Sequence, residues 1–163
     1  MFDRPWPDDL RGWYSIQDGV GNGDLIDTPL PHWTLRSLQS VVSDTDFYRS
    51  MYEDEGLADE ELAAEEDAEP AGSRAFVWLP SFVLIAHDVT ACGLYVDLRP
   101  GEQYGCVSMW DRDTGGADEE GPLWGSVTAM LEATATSLES GTPCNGYVPV
   151  VEDGALGWDY ELG

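Results

Sequence analysis

The sequence predicts an α+β fold: a single domain with a central, mostly antiparallel sheet packed by helices. Three observations carry this expectation. Apolar stripes at helical spacing open the chain, a run of strand-like segments fills residues 75–110, and another helical stripe follows it. Strands that succeed one another across short turns pair antiparallel. Helices segregated before and after them give α+β rather than a wound α/β sheet. The length, 163 residues, fits one domain, so residues 1–163 are taken as one unit.

The first helix spans residues 7–18. Asp8 or Asp9 caps it, Leu10, Trp13 and Tyr14 fall at i, i+3 and i+4, and Asp18-Gly19 stops it. Gly21, Asn22 and Gly23, with Pro29 and Pro31, make a loop. A phosphate cradle needs a strand before it and a helix after it, whereas this glycine pair follows a helix. Residues 32–35 read as a short extended piece. Ser37 then caps a second helix with Leu38, Val41, Val42, Tyr48, Met51 and Tyr52 along one stripe, which Asp44 and Asp46 threaten to interrupt. Residues 53–69 contain 10 Asp or Glu among 17 and no basic residue. Like charges repel and solvate, so a frayed helix end running into a mobile acidic insert is expected at 53–73.

Strands are expected at 75–79, 82–86, 93–98 and 104–110, where β-branched and aromatic residues concentrate. Residues 99–102 form a turn and 111–121 a polar, glycine-rich loop. Ser126 caps the last helix, with Val127, Met130, Leu131, Thr134 and Leu138 inward, and Gly141 and Pro143 end it. Residues 147–160 suggest a hairpin turning at Asp153-Gly154.

The charge is one-sided. Seven Arg, no Lys and 32 Asp plus Glu give a net charge of −25. Such a chain cannot neutralise phosphates, so direct nucleic-acid binding is excluded, and an anionic membrane repels it. It attracts basic partners instead. Cys92, Cys106 and Cys144 show no metal-ligand spacing, and the odd count fits reduced thiols in the cytoplasm. The opening residues lack the basic and apolar regions of a signal peptide. The longest apolar stretch, 75–86, is broken by Pro80 and Ser81 and is too short to span a bilayer.

Catalytic chemistry finds little support. His87 and Asp88 are adjacent, but neighbours on a strand face opposite ways; Asp88 as an acceptor in a turn is the alternative. No nucleophile elbow and no His-Glu-x-x-His is present. Asp111, Asp113 and Gly116 resemble the start of a calcium loop, but Gly115 and Pro122 stand where ligands are needed. No catalytic residue, no metal and no cofactor is expected. Trp110 beside Asp111 is either a partner-binding anchor or a core Trp that ends a strand.

Six motifs in order resemble the SUKH superfamily. They are Pro7 through Trp13-Tyr14 to Asp18-Gly19; Leu30-Pro31 with Leu35 and Leu38; Trp78-Leu79-Pro80; Ile85 to Asp88; Leu94 to Leu98 around Asp97; and Tyr104-Gly105 to Val107 followed by Trp110-Asp111. The closing helix at 126–138 also corresponds, so the resemblance covers about residues 7–140. Only six residues precede Pro7, where family members carry a further helix. The acidic insert and the tail after Cys144 have no family counterpart.

The resemblance implies an α+β fold without catalysis. Bacterial members of the superfamily are immunity proteins that bind and neutralise a cognate toxin, often a nuclease; fungal members are interaction adaptors in cell-wall assembly. The implied partner is thus a basic protein, a cognate toxin domain of nuclease type, bound by a monomer or weak dimer. The housekeeping adaptor is the alternative, and a small-molecule sensor would need an apolar pocket. Two acidic faces are candidates: residues 53–69, and the strand-end loop with Trp110, Asp111, Asp113, Asp118, Glu119 and Glu120. Trp13, Tyr14, Asp18, Gly19, Trp78, Pro80, Asp88, Asp97, Gly105, Trp110 and Asp111, as motif residues, are expected to be structural.

Overall fold

A computed structural model describes residues 4–19, 29–54, 60–90, 92–111, 114–116 and 121–161. Helix α1 (Asp8–Ile16) starts after Pro7, whose side chain offers no cap. Of the two expected caps, Asp8 pairs with Arg11, while Asp9 accepts the Leu10 amide with Oδ1 at 2.8 Å and with Oδ2 accepts the amide of Thr128 at 3.0 Å, at the start of α4 (Val127–Ser140). There it joins Ser126, whose hydroxyl accepts the Ala129 amide. Two oxygens thus satisfy donors that a helix N-terminus leaves without partners.

Helix α2 (Leu38–Asp54) is capped by Ser37, which accepts the Ser40 amide at 3.2 Å. The run at 44–46 does not interrupt it. Asp44 binds the Arg36 guanidinium at 2.6 Å, and Thr45 is fully buried with its hydroxyl on the Leu84 amide.

Five strands form one antiparallel sheet in chain order: β1 (Thr34–Leu35), β2 (Phe82–His87), β3 (Gly93–Asp97), β4 (Val107–Asp111) and β5 (Gly115–Gly116). The register of β2 against β3 shifts between Leu84 and Ala86, leaving Ile85 as an extra residue. Both faces are covered, so β2 and β3 read as continuous apolar runs. On one face Leu10, Trp13, Val83, Leu94, Val96, Val107 and Met130 form the larger core. On the other, Trp78, Phe82, Tyr95 and Trp110 form an aromatic core. Phe82 and Tyr95 lie 4.1 Å apart, and Trp78 meets Trp110 edge-on at 5.3 Å. Each such pair adds about 0.5–1.5 kcal/mol beyond area burial.

Two expected elements differ. Residues 75–79 are not a strand: Ala75 alone bridges to Gly116, while Val77, Trp78 and Leu79 turn inward. The cause is the Glu66 carboxylate, which takes the amides of Phe76 and Val77 that a ladder would have used. Within the acidic stretch, Glu60–Ala68 forms helix α3. It is held by carboxylates rather than dispersed by them. Glu66 is buried on those two amides, and Asp67 binds Arg4 at 2.6 Å and the Ser81 hydroxyl at 2.5 Å. Residues 55–59 lie outside the described residues.

The tail forms a separate hairpin of β6 (Tyr147–Glu152) and β7 (Ala155–Tyr160), turning at Asp153 and Gly154 as the sequence predicts.

Candidate functional site

The end of the sheet that carries the β2–β3 turn gathers six side chains: His32, Asp88, Thr90, Cys92, Asp111 and Tyr147. The turn is built by Asp88. Its Oδ1 accepts the amides of Thr90 at 2.8 Å and Cys92 at 2.9 Å, and the Thr90 hydroxyl donates to both of its oxygens. This is the acceptor role that a carboxylate takes in a tight turn. The imidazole set against the Asp88 carboxylate is that of His32, not of its neighbour His87: His32 Nε2 lies 3.6 Å from Asp88 Oδ2. His32 enters β1 with φ +68°, an uncommon conformation for a residue with a Cβ. Its ring stacks on Tyr147 at 5.5 Å and 9°.

Register brings in the next carboxylate. Gly93 pairs with Trp110, so Asp111 ends β4 beside Cys92. The Cys92 thiol donates to Asp111 Oδ2 at 3.4 Å, and Asp111 Oδ1 accepts the Thr114 amide at 3.0 Å. Burial pushes the Cys92 thiol above its usual range, and the hydrogen bond to Asp111 and the charges of Asp88 and Asp111 push the same way, against the Thr90 hydroxyl. A thiol held protonated is a poor nucleophile. The arrangement is therefore a polar cluster with two carboxylates, the Asp88 side chain only 8% exposed, rather than an activated cysteine.

Of the residues expected in the strand-end interface, the structure brings Asp111 to this site. Trp110 is a correction. It is fully buried in the aromatic core, because its side chain leaves β4 on the face that Trp78 and Phe82 cover, so it is no surface anchor. Asp113, Asp118, Glu119 and Glu120 lie outside the described residues. Sequence reasoning missed His32, Thr90, Cys92 and Tyr147 as members. Thr90 and Cys92 sit two and four residues past Asp88, in the turn expected there, whereas His32 and Tyr147 are far off along the chain and no local pattern announces their meeting with it. The second acidic surface is the outer side of α3, where Glu60, Glu61 and Glu65 are exposed.

The motif residues take identifiable places. Asp18 Oδ1 accepts the Leu38 amide at 2.6 Å and so caps α2 from outside. Gly19, at φ +71°, passes so close to the next segment that a Cβ would lie 2.4 Å from Ser37 N. Trp13 stacks on Tyr14 at 5.5 Å, and the Tyr14 hydroxyl donates to Arg36 O. Trp78 is buried and Pro80 is exposed. Gly105, at φ +85°, has Pro7 against it where a Cβ would stand 2.8 Å from Cγ.

Asp97 is fully buried and makes a salt bridge with the equally buried Arg99 at 2.7 Å. Asp97 also accepts the Gly72 amide, while Arg99 donates to the carbonyls of Glu66 and Ser73. The pair therefore ties the end of α3 and the loop after it to the sheet.

Among the described residues, no group of three or more His, Cys, Asp or Glu is placed to hold a metal ion. No helix there is long and apolar enough to cross a membrane. A comparison with curated proteins gave no match. The profile of the SMI1 / KNR4 family (SUKH-1) matches residues 2–133. That span holds α1 to α3, the whole five-stranded sheet and the first half of α4, and leaves the C-terminal hairpin beyond it. The chain belongs to the SMI1 / KNR4 family (SUKH-1).

Proposed function

We propose that this chain is a non-catalytic, cytoplasmic protein-binding domain of the immunity type, which captures and neutralises a basic cognate toxin domain of nuclease type. The observation that carries the reading is the charge of −25 with no Lys in the chain, on a member of a family whose proteins are often immunity proteins. A nuclease must be basic around its nucleic-acid groove. An acidic face competes for that groove, and complementary fields raise association rates to as much as about 10⁸–10⁹ M⁻¹s⁻¹ at low salt. Fast capture matters where free toxin acts before it is bound. The raised thiol of Cys92 and the use of the Asp88 oxygens within its own turn support a binding role over a catalytic one at the sheet end.

The test is the gene neighbourhood followed by neutralisation. A toxin domain encoded beside this chain is expected to be basic and to lose its nuclease activity at stoichiometric amounts of it. Association should slow as salt rises. A neighbouring toxin left fully active overturns the immunity reading, as does a neighbourhood without a toxin gene.

A further inference from the structure

The C-terminal hairpin lies beyond the family match and is made unlike the rest of the molecule. Paired residues on an antiparallel ladder share a face, and so do residues two apart. The register therefore places Tyr147 with Tyr160, Pro149 with Trp158 and Val151 with Leu156 on one face. That face carries no charged residue. Tyr147 and Tyr160 meet edge-on at 5.4 Å, and Tyr160 is 64% and Val151 73% exposed. A two-stranded sheet is marginal alone in water, and an apolar face left in solvent invites association.

The hairpin as a whole is acidic. By the same register Glu152, Asp159 and Glu161, all exposed, stand on its opposite face, and Asp153 is exposed at the turn; no Arg, Lys or His occurs anywhere in residues 113–163. The face also borders the polar cluster described above, because Tyr147 stacks on His32, which lies 3.6 Å from Asp88. Aromatic rings on an acidic hairpin suit arginine: the guanidinium stacks on the rings, and the surrounding negative field draws its charge. A second copy is the poorer occupant, since it would bring two like-charged molecules together.

We infer that the hairpin face centred on Val151 and Tyr160 is a docking surface for the arginine-bearing side of a basic protein partner. The inference rests on the basic-partner reading above and names the surface that the reading leaves open.

The probe is a dodecapeptide alternating arginine and leucine, titrated into the full-length protein. Amide shifts are followed by NMR, and affinity by calorimetry. Shifts are expected at 147–151 and 156–161, reaching His32 and Asp88. The exposed-site variant V151S/Y160S should bind about tenfold more weakly, while E60Q/E61Q/E65Q binds within about twofold of the wild type. The wild-type map keeps the inference testable even if the double variant disturbs the hairpin. Shifts confined to α3 overturn the hairpin site but leave the basic-partner reading standing. No binding of the cationic peptide overturns both. Sedimentation as a dimer that V151S/Y160S abolishes makes the face a self-interface and also overturns the inference.

Discussion

Replacing Arg99 with Met removes the charge but keeps an unbranched apolar stem. Arg99 is fully buried, as is its partner Asp97. Its Nε and Nη2 donate to the carboxylate, Nη1 donates to Glu66 O at 2.9 Å, and Nη2 also donates to Ser73 O. The variant leaves a buried carboxylate without its counter-charge, although the amides of Gly72 and Arg99 itself still point at it. It also deprives two carbonyls of their donor. Breaking one side of a buried pair costs about 3–5 kcal/mol, against a total stability of about 5–15 kcal/mol for a domain. For a chain of this size that is a fall in Tm of roughly 6–20 °C. Urea unfolding followed by tryptophan fluorescence measures the loss. Amide exchange at Gly72, Phe76 and Val77 shows whether α3 and its loop detach first, as the bonding pattern requires. Asp97→Asn should cost a similar amount, because it leaves the guanidinium unpaired. A loss below about 1 kcal/mol in both variants, the range of an exposed pair, would refute the claim that this pair ties α3 to the sheet.

Alkylation of Cys92 should be slower than that of an unstructured thiol at neutral pH; Asp111→Asn should speed it by removing a hydrogen bond and a charge that hold the proton, and Thr90→Val should slow it. Burial raises the thiol of Cys106 to about 12 and lifts the hydroxyls of Tyr14 and Tyr95 above their usual range. Each raised value favours the neutral form in the folded state, so stability is complete below pH about 9 and falls as pH rises toward about 12; a flat urea midpoint across that window would contradict the burial. Gly19→Ala should destabilise by more than the roughly 1–2 kcal/mol of a left-handed residue with a Cβ, since the added carbon meets the backbone of Arg36 and Ser37; an unchanged Tm would remove the close approach. Neutralising Asp111, Asp113, Asp118, Glu119 and Glu120 together should slow association with a basic partner more than neutralising Glu60, Glu61 and Glu65, read as stopped-flow rates scaled per charge removed. Glu66 and Asp67 do not belong in that control, because they hold α3 in place.

Local chemistry was enough for much of this protein. Helix periodicity with Ser37 and Ser126 as caps located α2 and α4, Asp153-Gly154 located the hairpin turn, and the concentration of β-branched and aromatic residues located β2 and β3. Those signals act within a few residues, so they are written in the sequence itself. So is the net charge, and with it the expectation of a basic partner rather than a phosphate backbone.

What lay beyond the sequence depended on partners distant along the chain. Residues 75–79 have strand composition, but a carboxylate from α3 claims two of their amides. Glu66 and Asp67 look like two more charges in an acidic run, yet docking turns them into bonds to Phe76, Val77, Ser81 and Arg4. Trp110 was open between core and surface because alternation fixes which residues share a face, not which face is covered; the stacking of Trp78 and Phe82 decided it. His32, Asp88, Cys92, Asp111 and Tyr147 became neighbours only when strand register and the packing of the hairpin set them at one end of the sheet. Pairing across a sheet is a long-range choice made by the packing of its two faces, and no short stretch of sequence encodes it.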